Sequence, residues 1–174
     1  MYMESIVEEF KNCKTDGIPM HLVDSEFMED ETYRYIKLYE EGCWSDEANK
    51  LFPETKEYIK HKFGDRCRQA FFVTMCGPKF MAPHKNEDNT TNVMRYHLGI
   101  VVHEECDGVL NVDDTQHKWK VGESFIFDTR QTHSVYKSSD YQRTILVVDF
   151  EEKVGMLGVI NKWKRNILEY LQKE

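Results

Sequence analysis

Short strand-like segments separated by polar turns fill the chain from residue 67 to residue 150, and they constrain the fold more than any other feature. Strand-forming side chains dominate residues 67–76, and Gly77-Pro78 ends that run. Further short strands are predicted, in order, at 79–83, 93–102, 108–112, 116–120, 123–128, 132–137 and 142–150. Because no crossover helix interrupts them, the pattern is typical of an all-β sandwich or barrel.

Helical patterns lie on both sides of this β region, where apolar residues recur at helical spacing. The predicted helices run over 2–13, from Asp24 or Ser25 to Gly42, from Pro53 to Gly64, and from Val154 toward the C-terminus. The second of these would hold Tyr33, Ile36 and Tyr39. We therefore expect one domain, with a helical N-terminal part at 1–64, a β core at 67–150 and a C-terminal helix at 154–173 packed on the sheet.

Composition limits the classes of partner. The 174 residues carry a net charge of −8, which argues against the basic face that nucleic acid requires. No apolar run is long enough to span a membrane, and the N-terminus lacks the pattern of a signal peptide. The five cysteines form no CxxC pair, as expected for reduced thiols. These features predict a cytoplasmic location, and they do not specify an oligomeric state.

Three of the seven histidines, and two arginines, stand out because they lie within or at the ends of apolar strands: His84, His97, His133, Arg95 and Arg143. By the two-residue period of a strand, Arg143 shares a face with Ile145 and Val147, and Arg95 shares one with His97. A guanidinium inside a barrel is costly unless it meets an anion, and its planar fork suits a carboxylate. The alternative to ligand binding is a structural role, in which an arginine forms an internal salt bridge to Asp128 or Asp149.

Six motifs in one order carry a family resemblance. They are Pro83-His84, Arg95-Tyr96-His97-Leu98-Gly99-Ile100, Trp119-Lys120-Val121-Gly122-Glu123, Phe125-Ile126-Phe127-Asp128, His133-Ser134-Val135-Tyr136 and Arg143 through Asp149. Together they resemble the aspartyl/asparaginyl β-hydroxylase family of Fe(II)- and 2-oxoglutarate-dependent oxygenases. The resemblance covers residues 83–149. It implies a double-stranded β-helix, a cupin-like jelly-roll, that uses iron, 2-oxoglutarate and O2.

The same resemblance implies roles for individual residues. His84 and His133 would bind iron, Arg143 would clamp the distal carboxylate of 2-oxoglutarate, and Arg95 and His97 would assist. Imidazole nitrogen suits Fe(II), and an oxygenase must leave adjacent positions on the metal open. Two further residues are candidates for the site. Thr74 would hydrogen-bond the cosubstrate, and Arg130, in the loop before His133, would contact an anionic substrate.

The first motif departs from the usual superfamily pattern, in which His-x-Asp or His-x-Glu completes a facial triad. Asn86 occupies the position of that carboxylate. It could ligate weakly, orient a water or simply be a turn residue, and Glu87 or Asp88 could instead fold back to supply the carboxylate. The sequence leaves these alternatives open.

The leading hypothesis is a dioxygenase that hydroxylates an sp³ carbon, such as the β-carbon of an aspartyl or asparaginyl group. Its substrate would be a small-molecule amino acid, a peptide or a carrier-bound aminoacyl group, although the resembling family also acts on lipid. The alternative is a protein of a different class, a non-catalytic cupin-like module that binds a metal or an anion. Asn86, in place of the usual carboxylate, keeps this alternative open.

Overall fold

The computed structural model describes residues 2–13, 21–22, 33–86 and 93–152. Its helices are α1 (Tyr2–Asn12), α2 (Asp46–Lys50) and α3 (Pro53–Phe63), and a 3-10 turn follows at Gly64–Arg66. Its strands are β1 (His21–Leu22), β2 (Tyr33–Glu40), β3 (Cys43–Trp44), β4 (Cys67–Met75), β5 (Lys79–His84), β6 (Val93–Val102), β7 (Val109–Val112), β8 (Thr115–Lys118), β9 (Ser124–Asp128), β10 (His133–Lys137) and β11 (Arg143–Glu151).

Two antiparallel sheets form the body of the protein. The larger has the order β1-β2-β4-β11-β6-β9, with β3 paired to β2, and the smaller has the order β5-β10-β7-β8. This mainly β arrangement is the double-stranded β-helix predicted from the sequence. Each strand predicted between residues 67 and 150 is present, with ends displaced by only one or two residues.

Strand β11 shows how the two faces of the larger sheet are used. Leu146, Val148 and Phe150 belong to the core cluster on the helical side, where Ile6 and Ile59 are also buried. Ile145 and Val147 alternate with them and belong to a second cluster, between the sheets. Because side chains alternate along a strand, Arg143 and Asp149 project to the same interior face as Ile145 and Val147. Both are buried.

Gly99 in β6 lets the connection between β8 and β9 approach the sheet. A Cβ atom on Gly99 would lie 2.1 Å from the carbonyl oxygen of Lys120, so no larger residue fits without moving the backbone. The amide of Gly99 donates to the carbonyl of Glu123, and the amide of Gly122 donates to the carbonyl of Gly99. These bonds fix the segment that carries Trp119 against β6.

The N-terminal part departs from the sequence prediction. Helices are present over Tyr2–Asn12 and Pro53–Phe63, as expected, but the helix predicted to end at Gly42 is wrong, because Tyr33–Glu40 is strand β2, paired antiparallel to β4. Ile36 and Leu38 are buried on one face of this strand, which is an alternation with period two rather than a helical one. The predicted C-terminal helix at 154–173 lies outside the described residues.

No described helix is long and apolar enough to cross a bilayer.

Candidate active site

A pair of histidines lies between the sheets at the end of the smaller one. His84 ends β5, His133 begins β10, and the two face each other as partners in that antiparallel pairing. Their ring centroids are 4.3 Å apart. The structure therefore brings together the two histidines that the sequence places 49 positions apart.

Both rings are oriented by the main chain. The Nδ1 atom of His84 lies 2.8 Å from the carbonyl oxygen of Ala82, and Nδ1 of His133 lies 2.9 Å from that of Gln131. A carbonyl oxygen only accepts, so Nδ1 of each ring is the donor and, in the neutral imidazole, Nε2 carries the lone pair. Burial, aided by the neighbouring His84 and then by the charge of Arg95, lowers the pKa of His133 and favours that neutral form. This is the protonation state in which histidine ligates metals.

The described residues supply no third His, Cys, Asp or Glu ligand at this pair. Within 2–13, 21–22, 33–86 and 93–152, no three His, Cys, Asp or Glu side chains are placed to hold a metal ion. The amide N–H of Asn86 donates to the carbonyl of Thr129, so the main chain at this residue is held in the loop after β5. Glu87 and Asp88 lie outside the described residues, and the alternatives for the third position stay open.

Arg143 is the most unusual charged group in the interior. Its side chain is 2% exposed, and neither Nε nor Nη1 finds a hydrogen-bond partner among the described residues. Its guanidinium carbon lies 3.8 Å from the centroid of the Trp119 ring. Burial lowers the pKa of Arg143 to about 10, which is still high enough to keep the group charged at neutral pH. A buried, charged fork with no carboxylate partner among the described residues has the chemistry to bind an anion.

His97 is set up differently from the other two histidines. The indole Nε1–H of Trp119 donates to Nδ1 of His97 at 3.3 Å. Burial, followed by the charges of Arg95 and Arg143, lowers the pKa of His97 well below its ordinary value. The neutral ring therefore carries its hydrogen on Nε2, the tautomer opposite to that of His84 and His133. His97 is built to donate a hydrogen bond at Nε2 rather than to ligate a metal there.

Arg95 forms the internal salt bridge that the sequence left as an alternative. Its Nε and Nη2 donate to the two carboxylate oxygens of Asp149 at 2.6 and 2.7 Å, across the pairing of β6 with β11. The side-chain amide of Gln69 donates to the same carboxylate. Arg95 thus has a carboxylate partner, which Arg143 lacks among the described residues.

The structure does not bring Thr74 to this site. Thr74 is paired with Thr144 and hydrogen-bonds its hydroxyl at 2.9 Å. Both residues occupy strand positions whose side chains point away from the face that carries Arg143. Arg130 follows β9 near His133, but its guanidinium is engaged by Asp128, with Nε 2.8 Å from Oδ1.

The sequence favours a core position for Trp119 and gives no sign of its contacts with other candidate site residues. The side chain is indeed buried, yet it also contacts Arg143 and His97. A ring connects this group to the histidine pair: the centroid of Phe127 lies 5.2 Å from that of His97 and 5.4 Å from that of His133. In the sequence, the only indication of a role beyond packing is that Trp119 lies in one of the motifs that resemble the family.

The fold is a double-stranded β-helix that holds a histidine pair and a buried arginine with no carboxylate partner among the described residues. The chain belongs to the aspartyl/asparaginyl β-hydroxylase family, whose model matches residues 2–153. The family suggested by the motifs is thereby confirmed, and the match extends far beyond them toward the N-terminus.

Two individual proteins are similar to the chain. An ornithine lipid ester-linked acyl 2-hydroxylase of Rhizobium tropici is 34% identical over 110 residues, which span 63% of this chain and 38% of that protein. The chain thus matches well under half the length of this curated relative. A solved oxidoreductase of the 2OG-Fe(II) oxygenase family from Burkholderia pseudomallei superposes with a TM-score of 0.54 at 11% identity, covering 86% of this chain and 77% of the other. At that identity, the likeness supports the fold alone.

Proposed function

We propose that the protein is an Fe(II)- and 2-oxoglutarate-dependent dioxygenase that hydroxylates an sp³ carbon. The observation that carries the proposal is the charged, unpaired guanidinium of Arg143, buried in the same interior as the histidine pair. A structural arginine would have a carboxylate beside it, as Arg95 has Asp149. Arg143 has none among the described residues, so we assign its partner to a bound dicarboxylate.

The residues present fit both cofactors. His84 and His133 offer Nε2 lone pairs from two adjacent rings, and imidazole is a suitable ligand for Fe(II). With only two protein ligands, several positions on the metal would be left for 2-oxoglutarate, O2 and water. When bound, iron and 2-oxoglutarate supply the oxidising chemistry, with succinate and carbon dioxide as products of the cosubstrate. The protein contributes position and electrostatics.

The three residues around Arg143 have separate tasks in this proposal. Arg143 neutralises and grips the distal carboxylate of 2-oxoglutarate. His97 donates from Nε2 to an oxygen of the same ligand, because Trp119 occupies its Nδ1. Arg95 acts indirectly: held by Asp149, it keeps positive charge near His97 and His133 and so favours their neutral forms.

The substrate class follows from what the family and the Rhizobium relative share. The β-carbon of an aspartyl or asparaginyl group is the methylene next to a carbonyl, and so is carbon 2 of an ester-linked acyl group. We propose that this protein also hydroxylates a methylene adjacent to a carbonyl. The substrate that contains this methylene would be a free amino acid, a peptide, a carrier-bound aminoacyl group or a lipid-linked acyl chain.

The test is anaerobic binding of Fe(II) and 2-oxoglutarate, followed by measurement of succinate after O2 is admitted. We expect His84→Ala and His133→Ala to lose iron affinity and succinate formation together. His117→Ala is the matched control, because His117 stacks on Phe125 and takes no part in the pair. Unchanged iron affinity in both pair variants would overturn the metal assignment.

A second candidate, a non-catalytic cupin-like module, is favoured by one observation, the absence of a carboxylate ligand among the described residues. The same experiment separates the two functions. Fe(II) and 2-oxoglutarate binding without succinate, across amino acids, peptides and acyl lipids as substrates, would support the module and refute the enzyme.

A further inference from the structure

Strand β2 carries a tyrosine into the interior of the barrel, near Arg143. Tyr33 pairs with Met75 of β4, and Met75 pairs with Arg143 of β11, so the three residues form one row across neighbouring strands. Side chains of such a row point to the same face of a sheet. Tyr33 accordingly packs against the core cluster between the sheets, which contains Met75 and Ile145.

The hydroxyl of Tyr33 is a hydrogen-bond donor with no acceptor among the described residues. Burial raises the pKa of Tyr33, while the charges of Arg143 and Arg95 act in the opposite direction, so the phenol lies within electrostatic reach of both arginines and stays protonated at neutral pH. A neutral phenol cannot serve as the counter-ion of Arg143. No described residue accepts a hydrogen bond from this hydroxyl, which leaves its O–H available to a ligand.

We infer that Tyr33 is a second binding residue for the carboxylate that Arg143 grips, donating a hydrogen bond from its phenol hydroxyl to a carboxylate oxygen. The inference rests on the proposed function, since the carboxylate is the distal one of 2-oxoglutarate. An ionised carboxylate has about four acceptor sites, and a single guanidinium fork satisfies only two. A tyrosine beside the fork supplies another donor without adding charge.

The assignment also gives β2 a functional part. The motifs that resemble the family lie at residues 83–149, so a cosubstrate-binding residue at position 33 comes from outside them. Strand β2 pairs with β4 along most of its length, from Tyr33 opposite Met75 to Glu40 opposite Gln69. The N-terminal part would then complete the binding site rather than merely cover the sheet.

The test compares Tyr33→Phe with Tyr35→Phe, the same substitution two residues along the same face of β2. Each protein is titrated anaerobically, in the presence of Fe(II), with 2-oxoglutarate and with 2-oxobutanoate, which lacks the distal carboxylate. We expect Tyr33→Phe to weaken 2-oxoglutarate binding about tenfold, as for the loss of a hydrogen bond to a charged group, and to leave 2-oxobutanoate binding unchanged. Tyr35→Phe should bind both ligands like the wild type.

The other outcomes decide separately on the inference and on the proposed function. If the wild type binds 2-oxoglutarate and Tyr33→Phe binds it equally well, the role of Tyr33 is refuted and the proposed function stands. If Tyr33→Phe weakens both ligands equally, its effect is on the shape of the site, and the inference is again refuted. If the wild type binds no 2-oxoglutarate, the proposed function fails, and the role of Tyr33 fails with it.

Discussion

Replacing Arg143 by methionine should make the ligand-free protein more stable while abolishing cosubstrate binding. One pKa unit corresponds to about 1.4 kcal/mol, so a pKa lowered from the ordinary 12.5 to about 10 means that the buried charge costs the folded state about 3 kcal/mol. The stacking of Arg143 on Trp119 returns up to about 2 kcal/mol of this. Methionine keeps a long apolar side chain in the same space and carries no charge. The expected net gain in the free energy of unfolding is about 1 kcal/mol.

The sign of the effect with pH follows from the lowered pKa. Below pH 10 the guanidinium is charged in both the folded and the unfolded protein, so the full cost is present. The cost falls only as the pH rises from about 10 toward the ordinary pKa of arginine, where the charge is lost from both states. The stability difference between wild type and Arg143→Met should therefore be constant between pH 6 and pH 9.

Urea unfolding, with and without 2-oxoglutarate and Fe(II), measures both halves of the prediction. At a ligand concentration of 100 times Kd, the wild type should gain about 2.7 kcal/mol, and the variant should gain nothing from the dicarboxylate. Most core substitutions destabilise by about 0.5–3 kcal/mol, so the direction of the change is diagnostic. A ligand-free variant that is less stable than wild type by more than about 1 kcal/mol would show that the Arg143 charge is already compensated.

Two further perturbations test the groups around Arg143. Asp149→Asn leaves the largely buried Arg95 without its counter-ion and should lower the free energy of unfolding by about 3–5 kcal/mol. Glu151→Gln, in an exposed ion pair, should cost under about 1 kcal/mol. Similar costs for the two variants in urea unfolding would contradict the assignment. Trp119→Phe keeps an aromatic face but loses the indole N–H, so His97 is no longer held in its Nε2–H form. We expect 2-oxoglutarate to bind about two- to tenfold more weakly, and nitrogen NMR of His97 to show a mixture of tautomers; an unchanged tautomer would refute the role of the indole.

Most of the β core could be predicted from the sequence, because the signals of a strand are local. Alternation and turn residues delimit β4 to β11, and the period of a strand was enough to place Arg143 on the face of Ile145 and Val147. The prediction failed at β2, because Tyr33, Ile36 and Tyr39 are also spaced as on one side of a helix. There the aromatic and β-branched composition was the better guide, since such side chains favour strands.

The contacts that distinguish the two arginines, and the hydrogen bond that orients His97, could not be predicted in the same way. Whether Arg95 meets Asp149 depends on the register between β6 and β11, which places these two residues opposite each other and Arg143 opposite Val102. The hydrogen bond from Trp119 to His97 joins residues 22 positions apart, and it exists because Gly99 lets the intervening segment lie against the sheet. Neither relation leaves a periodic trace in the sequence.

The carbonyl groups that orient His84 and His133 have a consequence for how such a site can change over time. Both acceptors belong to the main chain, at Ala82 and Gln131, so they persist whatever side chains occupy those positions. A histidine held by a neighbouring carboxylate loses its orientation when that single side chain mutates. Here the orientation of both rings follows from the strand geometry itself, and the surrounding side chains are left open to substitution. A scaffold of this kind can exchange one substrate for another while its pair of imidazoles stays in place.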